Sequence, residues 1–203
     1  MSTPIRKEYS EPLLSEREIL RYAGIPVKEK ESSEITELLL SSLSEVRHLI
    51  SYRVCYLELP VEKRDDLLDL GFALTASKTL GAVLAGCERV ILVAASVGMA
   101  LDRMIARYSS LLPSRAHMIA AIGAERIEAL LDAFCSEMDA EKRENGYTLT
   151  KRVSAGYGDI PLEMQRDIFR VLDLERQIGV SLTKSLMMVP SKSVTAIIGV
   201  KKI

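Results

Sequence analysis

Apolar residues return along this chain in two rhythms, one of three to four residues and one of every residue or every second. Ser15-Glu16-Arg17-Glu18 fits the pattern in which a serine and a glutamate three positions on satisfy the first amides of a helix. A short helix is predicted from there to about Tyr22, ended by Gly24-Ile25-Pro26. From about Ser33, the residues Ile35, Leu38, Leu39, Leu43, Val46 and Leu49 line one face of a second helix. Ser51 to Leu59 is rich in strand formers and reads as a strand stopped by Pro60. The short apolar run Leu70 to Leu74 also suits a strand, and Ser77 caps a helix ending near Gly86.

Val90 to Ala95 is apolar at every position, with charge before it and Gly98 after it. Such a run predicts a strand buried on both faces. Met99 to about Leu112 reads as a helix, and another begins at Ser114 or Arg115 and runs to Glu144. The stripe of this long helix is Ile119, Ile122, Ile127, Leu130, Leu131, Phe134 and Met138, and Asn145-Gly146 ends it. Tyr147 to Val153 regains strand character, and Pro161 to Asp173 reads as a helix with proline in its first turn. In the tail, Ser185–Val189 and Val194–Ile198 flank Pro-Ser-Lys-Ser as the arms of a hairpin. Strands and long helices alternate without a regular βαβ repeat, so the expected class is α+β, a twisted antiparallel or mixed sheet flanked by long helices. The expected organisation is one domain, 1–203, with a helical part at 1–50 and a mixed core at 51–203.

Composition narrows the function classes. The 27 basic and 28 acidic residues leave a formal net charge of −1, and no basic block stands out. Nothing here suits a nucleic-acid backbone. Tryptophan is absent, so aliphatic residues and eight methionines must carry the packing. Cys55, Cys87 and Cys135 are odd in number and far apart, which fits reduced thiols rather than a disulfide framework or a zinc knuckle. The polar N-terminus has no signal-peptide core. The most apolar run, Val90 to Leu101, falls short of the roughly 20 residues that span a bilayer. These features predict a cytoplasmic protein with neither nucleic acid nor membrane as partner.

Conventional catalytic patterns are missing. His48 and His117 stand on predicted helices, and no His-Glu-x-x-His or Gly-x-Ser-x-Gly sequence occurs, so no catalytic residue and no metal ligand is assigned. The exception is Lys151 to Gln165, where Arg152 precedes Gly156-Tyr157-Gly158. A dinucleotide fingerprint would need glycine where Pro161 stands, and no Gly-Lys-Ser/Thr follows. A strand end, a bend with little side-chain bulk and a helix start would suit an anionic ligand, through open amides and the helix dipole. Arg152 adds a fork for a carboxylate, and Tyr157 a hydroxyl or a stacking face. A plain tight turn accounts for the two glycines equally well.

Arg152-x-x-x-Gly156-Tyr157 resembles the Arg-x-x-x-Gly-Tyr motif of the activation domain of cobalamin-dependent methionine synthase. Downstream, Ile178-Gly179-Val180-Ser181-Leu182-Thr183-Lys184-Ser185 leads through Met187-Met188-Val189-Pro190 into Ser191-Lys192-Ser193-Val194-Thr195. This is similar to the family's Gly-x-x-Leu-Thr-Glu-Ser…Met-x-Pro-x-x-Ser-Val. The close match covers about Lys151 to Gly199, and Ala124 to Leu130 resembles, more loosely, the family's preceding helix. The resemblance implies that S-adenosylmethionine is bound, with Arg152 on its carboxylate and the backbone of Ser154, Ala155 and Gly156 along the rest. It also implies that Tyr157 lines the site and that Glu128 or Glu125 supplies an acid. The implied role is remethylation of cobalamin held by a separate corrinoid-dependent methionine synthase, with a flavodoxin-like or other one-electron donor. The cobalamin signature Asp-x-His-x-x-Gly is missing, which implies a free-standing subunit rather than a complete methionine synthase. Where the family carries an aspartate at the ligand, Leu20-Arg21-Tyr22-Ala23-Gly24 has no acid, and the family's further tyrosine-bearing segment does not follow. These departures suit a second reading, a corrinoid-docking module without the small ligand. An unrelated enzyme that binds a small anion is the third.

Overall fold

In the computed structural model, which describes residues 3–26 and 32–203, the wholly apolar run lies at the centre of a five-stranded antiparallel sheet. Along the chain come β1 (Ile5–Tyr9), α1 (Glu16–Tyr22), α2 (Ser33–Val46) and β2 (Tyr52–Pro60). Three short strands follow, β3 (Glu62–Arg64), β4 (Leu67–Asp69) and β5 (Leu74–Thr75), then α3 (Lys78–Val83) and β6 (Cys87–Ser96). The helices α4 (Ala100–Tyr108) and α5 (Pro113–Glu144) precede β7 (Tyr147–Leu149), α6 (Met164–Leu172) and α7 (Leu174–Ile178). The chain closes with β8 (Ser181–Leu182), β9 (Met188–Val189) and β10 (Ser193–Lys202). The main sheet has the order β1-β2-β6-β10-β7.

β6 alternates its side chains between two cores. Ile91, Val93 and Ala95 meet Tyr56, Ala196 and Ile198 on the face covered by α1, α2, α4 and α5. Val90, Leu92 and Ala94 join Cys55, Leu57 and Ile197 on the other face, under α3, α6 and α7. A strand with no solvated face has no use for polar alternation, which is why its sequence reads as one apolar run. The 32 residues of α5 extend for about 48 Å, enough to cross the whole sheet. Its middle is enclosed almost all round, and Ile119, Ile122, Leu130, Leu131, Phe134 and Met138 form the buried stripe. Among the described residues no helix is long and apolar enough to cross a membrane.

Several boundaries differ from expectation, each for a local reason. β1 lies in the stretch expected to be helical; as a polar edge strand, Ile-Arg-Lys-Glu-Tyr, it carries no apolar rhythm. Leu70 to Ala73 is a turn rather than a strand, and of the expected run only Leu74 lies in one. Gly71 takes φ +75° and donates its amide to the Asp69 carboxylate at 2.9 Å, while β4 and β5 flank the turn. The helix expected from Pro161 begins only at Met164, and after Asp173, at φ 49°, the chain starts the separate helix α7. The tail is not a hairpin: β9 pairs with β8, while β10 crosses over to β6 and β7. Ser191 is tied to Asp102 of α4 through its amide at 2.8 Å and its hydroxyl, so the Pro190 corner turns away from β9. The apolar residues of β10 reach full burial only beside β6.

Phe134 is wholly buried, with its ring 5.2 Å from that of Tyr56 across the α5–sheet interface. Phe134→Ala is expected to lower the stability by about 3–5 kcal/mol, read from the midpoint of urea unfolding with an unchanged m-value.

Candidate functional site

The stretch after β7 is pinned to β10 by short contacts with one gap between them. The Thr150 amide donates to the Gly199 carbonyl at 2.9 Å, and Val153 exchanges both backbone hydrogen bonds with Ile197, at 3.1 and 2.7 Å. Between these anchors Lys151 and Arg152 leave the ladder, and Arg152 turns toward α5. Its Nη2 donates to Glu128 Oε2 at 2.5 Å and its Nη1 to Asp132. Those carboxylates stand one helical turn apart on a single face of α5. Burial works against the Arg152 charge, but the hydrogen bond to Asp132 and the nearby Asp132 and Glu128 charges outweigh it. Its pKa is raised above the ordinary guanidinium value.

Two cavities adjoin at Glu128, the partner of Arg152. One, of about 290 Å³, is bounded by Glu128, Leu131, Arg152, Ser154, Tyr157 and Val194. The other, of about 500 Å³, runs between α5 and the segment leading into α1. Glu128, Ala129, Asp132 and Ala133 face Pro12, Leu13, Glu18 and Tyr22 across it. Glu128 borders both, so the two adjoin along one acidic groove; Arg152 lines the smaller cavity and bonds Glu128 and Asp132 of the larger. The sizes are those of small-molecule sites.

The expected site residues are divided by this geometry. Arg152, Ser154, Tyr157 and Glu128 come together around the smaller cavity. Ser154 also donates its hydroxyl to the Thr195 carbonyl at 2.7 Å, which fixes it against β10. Ala155 turns into the core under β6, and Gly156 is not among the residues that border the cavity. Glu125 borders the larger cavity, but its carboxylate accepts from the Ser15 amide and from Arg126, so Glu128 is the α5 glutamate that faces Arg152.

The bend has its own structural reason. The amides of Gly156 and Tyr157 are not open to a ligand: they donate to the Ile160 and Ser154 carbonyls at 3.0 and 3.1 Å. The start of α6 lies several residues further on, at Met164. Gly156 takes φ +86° and Gly158 φ +60°, and a Cβ on Gly158 would lie 2.6 Å from the Thr79 hydroxyl. This close approach lets Asp159 cap α3. Its carboxylate accepts from the Ser77 hydroxyl at 2.6 Å and from the Lys78 and Thr79 amides at 2.7 and 3.0 Å. Gly158 therefore docks the bend on α3, while Gly156 turns the chain beside Leu162, and between them they carry Tyr157 outward.

Sequence reasoning missed Glu18 and Asp132. Asp132 was legible as the third member of an acidic stripe, 125-128-132, that interrupts an apolar helix at helical spacing. In the sequence Glu18 reads only as part of a cap; its amide does donate to the Ser15 hydroxyl at 3.3 Å, while its carboxylate accepts from Arg21 at 2.7 Å beside the groove. Leu20–Gly24 brings no acid to the groove, whereas Glu18 of the same helix borders the larger cavity.

The model of the family of vitamin B12-dependent methionine synthase activation domains matches residues 93–202, more than half of the chain, and the chain belongs to that family. The solved structure of the MetH reactivation domain bound to AdoHcy shares the fold. It superposes with a TM-score of 0.69 at 15% identity, covering 97% of this chain and 78% of that one. No curated protein matches in sequence.

Hydrogen bonds from Ser77, Thr79 and the two α3 amides hold the Asp159 pKa far below its ordinary value of 3.8. Its contribution to stability is therefore complete above that value and is lost as the pH falls through the lower, folded pKa. Asp159→Asn is expected to be less stable than the wild type at pH 7. Urea midpoints should converge as the pH drops below 3.8.

Proposed function

We propose that this chain binds S-adenosylmethionine in the groove between α1, α5 and the Arg152 bend. In this reading it is a free-standing, cytoplasmic activation subunit. It supports remethylation of cobalamin carried by the cobalamin-binding domain of a separate methionine synthase or related corrinoid protein. Bound S-adenosylmethionine would supply a methyl cation to cobalt reduced by a flavodoxin-like or other one-electron donor, leaving S-adenosylhomocysteine. Family membership supports the role, and so does a fold shared with a domain whose structure was solved with AdoHcy. The three free thiols suit a reducing compartment.

The observation that carries the reading is Arg152, which lines one cavity and is steadied by Glu128 and Asp132, both of which line its neighbour. Of the five N–H donors on a guanidinium, those carboxylates engage two, so the fork can still receive a ligand carboxylate. Glu18, Glu128 and Asp132 provide acceptors for an ammonium and for ribose hydroxyls, and Leu13, Ala129 and Ala133 offer apolar surface to an adenine. Tyr157, 60% exposed, stands at the mouth, where a docked corrinoid domain would cover it.

A ligand-free docking module is the second reading, favoured by the same ion pairs, since Arg152 already has partners without any ligand. The small-anion enzyme loses its main support, because the bend's amides at Gly156 and Tyr157 are satisfied internally. Thermal unfolding separates the first two. S-adenosylmethionine at a hundredfold excess over its Kd should add about 2.7 kcal/mol. For a chain of this size that is a rise in Tm of about 5–10 °C. The same rise is expected with S-adenosylhomocysteine, with none from ATP and none in Arg152→Ala. No shift with any of these ligands at millimolar concentration overturns the ligand reading and leaves the docking module.

A further inference from the structure

In the middle of α5 two consecutive charged residues, Glu125 and Arg126, are withdrawn from water, with 3% and 0% exposure. They bond each other, Nε to Oε2 at 2.5 Å and Nη2 to Oε1 at 2.6 Å. Arg126 also lies beside Tyr52 and the Glu11 carboxylate, but the pair's hydrogen bonds to backbone all reach one short segment. Arg126 donates to the Pro12 and Leu13 carbonyls at 2.8 and 2.9 Å, and Glu125 accepts from the Ser15 amide at 2.9 Å. This strap between β1 and α1 is the wall of the larger cavity opposite Glu128 and Asp132.

Side-chain burial does little to hold the strap. Leu13 is 96% exposed, and Leu14 packs only partly against the core. What holds it is its backbone, gripped by the pair. A buried ion pair is poor evidence for stability, since an apolar pair of similar volume often does as well. Its particular use is to fix one geometry. Here that geometry sets the distance across the groove, because the same helix presents Glu128 and Asp132 to the ligand and Glu125 and Arg126 to the opposite wall.

We propose that Arg126 and Glu125 are positioning residues of the ligand groove, which hold the Pro12–Ser15 strap in place so that its docking and ligand occupancy are coupled. This rests on the reading of the groove as an S-adenosylmethionine site. In the full-length wild type, S-adenosylmethionine should slow hydrogen exchange of the amides of Leu13, Leu14 and Ser15. Arg126→Lys keeps the charge but loses the fork. It should bind S-adenosylmethionine about tenfold more weakly, which corresponds to about 1.4 kcal/mol. It should also exchange faster in the strap while β6 stays as protected as in the wild type. Arg115→Lys alters an α5 arginine that bonds Glu45 and Ser41 away from the groove, and its affinity should not change. Wild-type affinity in Arg126→Lys with a released strap overturns the proposal, as does ligand binding that leaves strap exchange unaltered. If Arg126→Lys does not fold, wild-type exchange decides alone. Absence of a melting shift in the wild type overturns the site itself, whereas failure of the coupling leaves that shift intact.

Discussion

Burial of β6 and β10 on both faces is the constraint from which the architecture follows. A strand pair with no solvated side needs a helical layer above and another below, and the chain supplies α1, α2, α4 and α5 for one and α3, α6 and α7 for the other. β10 is the last strand, yet it must lie beside β6 to bury its apolar residues. The chain therefore delivers β7 to the outer edge of β10 before β10 itself arrives, and the residues after β7 become the rim of the groove. The position of Arg152 follows from that order of strands.

Charge in the groove is organised through arginines that each face carboxylates. Arg21 pairs with Glu18, Arg126 with Glu125, and Arg152 with Glu128 and Asp132. Only the Glu125–Arg126 pair is fully withdrawn from water, and its environment makes it rigid. The pairs of Glu18 and Arg152 remain partly exposed, where screening keeps such contacts weak and easily rearranged. The buried pair thus underlies the wall of the groove, and the adjustable pairs stand along its open side.

The two glycines of the bend illustrate how one motif serves fold and site together. Their positive φ angles and the close approach to Thr79 seat Asp159 on the first amides of α3. The bend is thereby held from the core side, with Ala155 beneath it and Tyr157 outside. A glycine pair read only as a turn, or only as a cradle for a ligand, would account for half of this.

Wherever a local rule decides, the residues alone were enough. Ser15 and Ser77 cap their helices, the wholly apolar 90–95 run is the central strand, and the stripe from Ile119 to Met138 is buried on α5. The motif around Arg152 and its similarity to activation domains were also legible, and Glu128 and Tyr157 do border one cavity with it. Whatever depends on contacts between distant segments was decided by the tertiary structure. β1 is polar because it is an edge, so only its pairing with β2 identifies it as a strand. Pro190 looks like the turn of a hairpin until the Asp102–Ser191 contacts and the burial available beside β6 draw β10 away from β9. Glu125 and Glu128 cannot be told apart by composition. One is taken by the Ser15 amide and Arg126 and the other faces Arg152, because the strap crosses α5 at one turn and the bend approaches it at the next.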